Sequence, residues 1–125
     1  MADDHFDLDE AAEQRATRLH EESVVVDGLI ATDRYLVDPE YADHLRAGGV
    51  DAANFTVASH GEDFPEGVES VMQYRDLVAE RDDWRLVESA DDVRTAQRAG
   101  EHGLVLGFQD TRPVGPELRR LRAFD

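Results

Sequence analysis

The sequence predicts an α/β fold built on a parallel sheet, and three features of the chain carry that prediction. The run Ser23-Val24-Val25-Val26-Asp27-Gly28-Leu29-Ile30-Ala31 is rich in β-branched residues and punctuated by Asp-Gly, as expected of a strand covered on both faces. Two further apolar strand candidates, residues 50–58 and 103–108, follow at wide spacing. Between them lie stretches of helical periodicity with recognisable start and stop residues. Strands therefore alternate with helices, and right-handed crossovers align them in parallel.

In chain order, Leu8, Ala11, Ala12, Ala16 and Leu19 recur at helical spacing and predict an amphipathic helix over residues 8–20. Strand one occupies 24–27. Asp38-Pro39 supplies an N-cap and a proline at the first helical position, and the helix it opens reaches Ala47 before Gly48-Gly49 ends it. Strand two covers 50–58. After a polar loop, 59–63, a long helix over 64–80 is predicted to turn Val68, Val71, Met72, Leu77 and Val78 inward. Residues 84–87 make a short extended connector in which Trp84 packs a helix against the sheet. Ser89-Ala90-Asp91-Asp92 resembles a capping box with Asp in place of Glu, opening a helix to about Ala99 that Gly100 stops. Strand three is 103–108, and a further helix begins over 116–124.

About three parallel strands do not close a sheet. The third, Gly-Leu-Val-Leu-Gly-Phe, falls at or near an open edge, and a long apolar edge is a liability in a finished protein. The simplest account is the N-terminal part of a longer chain, such as a (β/α)8 TIM-type barrel of about 250 residues. No repeat, linker or domain boundary interrupts residues 1–125, which read as a single partial domain with an N-terminal helix region over 1–22.

Composition narrows the setting. The 29 acidic residues against 13 basic ones leave a formal net charge of −16, so the folded chain repels itself until salt screens it. Every basic residue is Arg and none is Lys, which suits a halophilic, salt-adapted protein. The acidic residues are spread along the whole chain as a solvated surface, which argues against nucleic acid or an anionic membrane as partner. Without Cys there is no disulfide framework, thiolate metal site or cysteine nucleophile, and His and carboxylates remain as the strong metal ligands. The acidic start, Met1-Ala2-Asp3-Asp4-His5, has no signal-peptide character, and no apolar run approaches the roughly 20 residues that span a bilayer. A cytoplasmic location is expected.

Competing nucleotide-binding readings fail on chemistry. A receiver domain and a P-loop both need a Lys, and a dinucleotide fold needs Gly-x-Gly-x-x-Gly where Asp27-Gly28-Leu29-Ile30-Ala31 offers one Gly. In a barrel the active site forms at the carboxyl ends of the strands, which singles out Gln109 and Asp110 after strand three and His60 after strand two as catalytic candidates. Asp33 and Arg112 are substrate-binding candidates, Arg112 through a bidentate grip on a carboxylate. Asp27 is a weak metal candidate, for an Asp before Gly at a strand exit more often makes turn hydrogen bonds. Surface pairing competes for Asp33 and Arg34, and loop shaping for Arg112-Pro113. Asn54, inside an otherwise apolar strand, needs an internal partner. His5, His20, His44 and His102 read as surface groups.

Three blocks together resemble the first three strands of the membrane (renal) dipeptidase family. They are His20-Glu21-Glu22-Ser23-Val24-Val25-Val26-Asp27-Gly28, Leu45-Arg46-Ala47-Gly48-Gly49-Val50-Asp51-Ala52-Ala53-Asn54-Phe55, and Gly103-Leu104-Val105-Leu106-Gly107-Phe108-Gln109. The resemblance implies a (β/α)8 barrel metallopeptidase that cleaves dipeptides or related amides at a two-zinc site and extends well past residue 125. It also implies a departure. The family pattern Asp-Gly-His-x-Asp places metal-binding His and Asp where this chain has Leu29 and Ala31, and the bridging Glu at the end of the third strand corresponds to Gln109. A neutral carboxamide does not balance two cations as a carboxylate does. The resemblance thus points to a divergent branch whose zinc or similar divalent metal is not fully liganded by this segment. The alternative is a noncatalytic relative that binds a small ligand, and homo-oligomerisation stays open.

Overall fold

The computed structural model describes residues 7–31, 38–58 and 61–125. Helix α1 (Glu10–Glu22) leads to strand β1 (Val26–Ile30), helix α2 (Pro39–Ala47), strand β2 (Ala52–Ala58) and helix α3 (Phe64–Ala79). Strand β3 (Trp84–Leu86), helix α4 (Ala90–Ala99), strand β4 (His102–Phe108) and a 3-10 helix (Leu118–Ala123) complete the described elements. All strand pairs are parallel, in the order β1-β2-β4-β3. This is the α/β architecture the sequence predicts, consistent with part of a TIM-type barrel.

Local chemistry sets the helix ends. The Asp38 side chain accepts from Glu40 N ahead of Pro39, and Asp63 with Glu66 forms a reciprocal capping box on α3. Ser89 and Asp92 form the same box on α4, as their spacing predicts, and Gly100 closes that helix in the left-handed region at φ 71°. The expected connector at 84–87 is a true strand. It pairs with β4 over His102–Leu104, and among the described residues Val105–Phe108 pairs on its β2 side alone.

The register separates two faces of the sheet. Ile30, Ala53, Phe55, Val57 and Leu104 join Ala42 and Leu45 of α2, Val78 of α3 and Trp84 in one apolar core. Asn54, Thr56, Val105 and Gly107 belong to the other face, since parallel partners share a side and alternate residues switch sides. Steps from β1 to β2 and from β2 to β3 cross the sheet in one direction, whereas β3 to β4 returns. Right-handed crossovers then put α4 on the face opposite α2 and α3, and the fully buried Ala96 of α4 accordingly lies outside the core cluster. The barrel-like succession is β1, β2, β4, with β3 and α4 inserted as a side excursion.

Several expectations need correction. Among the described residues strand one is not covered on both faces: Val26 and Leu29 are 52% and 59% exposed, β1 pairs with β2, and its Ile30 is buried. Helix α1 has the predicted periodicity, yet none of its residues is buried. Met72 faces out at 56% exposure, and the inward face of α3 includes Gly67 and Val78. His102 is no surface group; it opens β4 with 5% exposure. The stretch predicted as a helix over 116–124 forms the shorter 3-10 turn, with Phe124 edge-on against Phe64 and Phe108.

Candidate active site

The carboxyl ends of β1, β2 and β4 lie side by side, and two of them are tied together directly. Gln109 N, one residue past β4, donates to the Ala58 carbonyl at the end of β2 (3.1 Å), which fixes where the Gln109 side chain leaves the sheet. That side chain is exposed at the strand ends. Asp110 follows, half-buried. Its Oδ1 accepts from Arg112 N (2.8 Å) and its Oδ2 lies 3.5 Å from Arg112 Nε, so the carboxylate holds both the backbone and the guanidinium of Arg112.

The loop is anchored from below. Val114 N and Gly115 N both donate to the Thr111 carbonyl (3.1 and 3.0 Å), and Gly115 takes φ 61°, a conformation that glycine adopts without steric cost. Pro113, fully buried, seats on Gly67 of α3. A Cβ at Gly67 would come within 2.7 Å of the Pro113 ring, so the missing side chain there is what lets the loop dock. With Pro113 and Val114 pinned inward, Arg112 is left outward with a side chain 63% exposed, beside Gly61 of the loop after β2.

Asp27 behaves as the turn reading expects, although it lies inside β1. Its Oδ1 accepts from Leu29 N (2.9 Å), across a bulge in which the register advances from Asp27↔Ala53 to Ile30↔Phe55. Leu29 and Ala31 are exposed at this strand end. The candidates His60 and Asp33, and Arg34 with them, lie outside the described residues. The described arrangement thus unites Gln109, Asp110 and Arg112 at one loop and leaves Asp27 engaged locally on the far strand.

One polar residue lies within β2, on the face opposite the apolar core. Asn54 leans over Gly107 on the neighbouring strand: a Cβ there would meet its Oδ1 at 2.1 Å, and that oxygen is buried with no conventional partner. The expected internal partner is not found for this oxygen, which occupies the space that a side chain at Gly107 would take. A polar residue in an apolar strand signals Asn54 in the sequence, but nothing there reveals its cross-strand neighbour.

Perturbed titration is found at the opposite end of the sheet. Burial pushes the His102 imidazole below its ordinary range, and the Arg81 guanidinium, bonded to Asp83 through Nε (2.8 Å) and Nη2 (2.7 Å), holds that carboxyl down. Asp83 in turn raises Arg81. These groups brace the amino ends of β3 and β4, away from the candidate site. Among the described residues, no three His, Asp or Glu side chains come together as a metal site. Asp27 has one oxygen committed to Leu29 N, Gln109 brings a neutral oxygen, and Leu29 and Ala31 bring none, so these residues do not fit a dinuclear zinc centre.

Two solved structures are similar to this chain. An amidohydrolase from Pseudomonas aeruginosa is 29% identical, with TM-score 0.74 over 86% of this chain and 32% of that one. The fold is shared. The probable dipeptidase PvdM from Pseudomonas aeruginosa, 16% identical, gives TM-score 0.64 over 94% of this chain and 36% of its own. The chain therefore spans about a third of the length of each. No family model and no curated protein matches it. At the level of fold, both likenesses agree with the dipeptidase resemblance. No described helix is long and apolar enough to cross a membrane.

Proposed function

We propose that the protein containing this chain is a hydrolase of amide bonds, related to dipeptidases, whose reaction takes place at the carboxyl ends of the strands. The observation that supports this reading is the 29% identity to an amidohydrolase over 86% of the chain, together with the polar loop that follows β4. In this reading the substrate is a dipeptide or related amide. Arg112 grips its carboxylate and Asp110 positions Arg112 by holding its amide and guanidinium together, which restricts a flexible side chain before substrate arrives. Gln109 orients the amide through its carboxamide, His60 exchanges a proton, and Asp33 binds substrate from the loop after β1.

Zinc or a similar divalent ion belongs to this proposal only through residues other than those described, because the described ones do not compose its site. In this reading the protein works in the cytoplasm of a salt-adapted cell, a setting that its acidic, lysine-free composition suits. A second reading, a noncatalytic dipeptidase-like barrel that binds a small ligand, is favoured by one observation: Leu29, Ala31 and Gln109 stand where the family pattern has ligands.

Metal analysis and dipeptide hydrolysis, measured on the full-length protein in concentrated salt, separate the two. The hydrolase reading expects about one equivalent of divalent metal and turnover. A metal-free, folded protein that binds dipeptide without cleaving it would establish the second reading. The variant Leu29→His with Ala31→Asp then asks whether the replaced ligands account for any inactivity.

A further inference from the structure

Two ring nitrogens at the amino end of the sheet are sealed from solvent without a hydrogen-bond partner: Nε1 of Trp84 and Nε2 of His102. Both residues are more than nine-tenths buried, at 4% and 5% exposure. They are cross-strand partners in the β3–β4 register, with ring centroids 5.1 Å apart and planes tilted by 46°. Phe55 closes the indole edge-on from β2, with centroids 5.5 Å apart.

The chemistry of the two nitrogens is complementary. His102 Nδ1 lies 2.9 Å from the Val50 carbonyl, and a carbonyl only accepts, so Nδ1 carries the ring hydrogen. Nε2 then presents a lone pair. Indole Nε1–H only donates. A buried donor and a buried acceptor on adjacent rings each carry a penalty while unpaired. A direct N–H···N bond needs the indole N–H aligned with the imidazole lone pair, and no hydrogen bond joins the two rings.

We propose that a single internal water bridges Trp84 and His102, accepting from indole Nε1–H and donating to imidazole Nε2. One water in contact with both satisfies two orphaned groups at once, the role that buried waters generally play in protein interiors. In the neutral Nδ1–H form of His102, which burial favours over the charged ring, the water donates to the Nε2 lone pair. The proposal does not depend on the hydrolase reading.

The test is nuclear magnetic resonance of the full-length, 15N-labelled protein near pH 7. The expected result is a His102 Nδ1–H tautomer and a cross-peak between the Trp84 indole N–H and a long-lived water. An Nε2–H tautomer, a direct indole–imidazole bond, or an indole N–H without a water cross-peak would overturn it. Trp84→Phe and His102→Phe give an independent measure. Each single variant strands one of the two ring nitrogens and the double variant strands neither, while the Val50 carbonyl loses its imidazole donor in His102→Phe and in the double variant alike, so that loss cancels. The double variant's unfolding constant should therefore rise about tenfold less than the product of the single changes. Simple additivity would count against a shared water, and if a variant does not fold, the spectra of the unaltered protein decide.

Discussion

Replacing Gly107 with Ala tests the packing of the face that carries Asn54. The new Cβ would lie 2.1 Å from Asn54 Oδ1, 3.0 Å from its Cγ and 3.2 Å from its Nδ2, so the carboxamide must swing away or the strands must part. Overpacking of this kind costs about 1–3 kcal/mol. Against it stands a gain of about 0.4–1 kcal/mol, because Ala restricts the unfolded chain where the native backbone is compatible, and Gly107 is not in the left-handed region. The expected net loss is about 1–2 kcal/mol. In an Asn54→Ala background the obstacle is gone, and the same substitution should be neutral or stabilising by about 0.5 kcal/mol. A coupling of about 1.5–2.5 kcal/mol therefore separates the two backgrounds. Denaturant unfolding of the four full-length proteins in concentrated salt measures it. An equal effect of Gly107→Ala in both backgrounds would refute the argument that Asn54 occupies the glycine notch.

Three further outcomes follow from the described geometry. Asp51 Oδ2 accepts from Val25 N (2.7 Å) and Gln97 Nε2 (3.1 Å), tying the approach to β1 and helix α4 to β2. Asp51→Ala should cost about 1–3 kcal/mol and speed hydrogen exchange at the Val25 amide; unchanged exchange there would remove the clamp from the account. His102 titrates below its ordinary value when folded, so the unfolded chain takes up its proton first. Stability from this group is intact above about pH 6.5 and falls as pH drops from there toward the folded value, a slope that His102→Phe should abolish. Asp83, also held low, adds a loss of the same sign only in the more acidic carboxylate range. With a net charge of −16, the melting temperature should rise between about 0.1 and 1 M KCl as the screening length shortens from about 10 to 3 Å; a flat or falling profile would contradict the halophilic reading.

Much of the fold was legible because its signals are local. Asp38-Pro39, Ser89 with Asp92, and Gly100 each act within a few residues, and the helices they delimit formed where they predict. The candidate loop was legible for the same kind of reason. Gln109 and Asp110 follow an apolar strand, and the end of a parallel strand is defined by the chain itself. What the sequence did not disclose depends on neighbours distant along the chain. That Pro113 docks on Gly67, and thereby turns Arg112 outward, couples a loop to a helix more than forty residues earlier. Asn54 over Gly107 and Trp84 beside His102 are likewise cross-strand relations that no periodicity encodes.

The sequence by itself determined the alternation of strands and helices, the caps, the acidic surface, and the absence of charged or imidazole side chains at Leu29 and Ala31. Only the tertiary structure decided that β3 lies outside β4, that α4 covers the opposite face, that β1 takes β2 as its neighbour among the described strands, and that His102 is buried. The reason is physical: helix ends and strand character follow from hydrogen bonds and side-chain patterns within a few residues, whereas sheet order and burial follow from the packing of elements tens of residues apart.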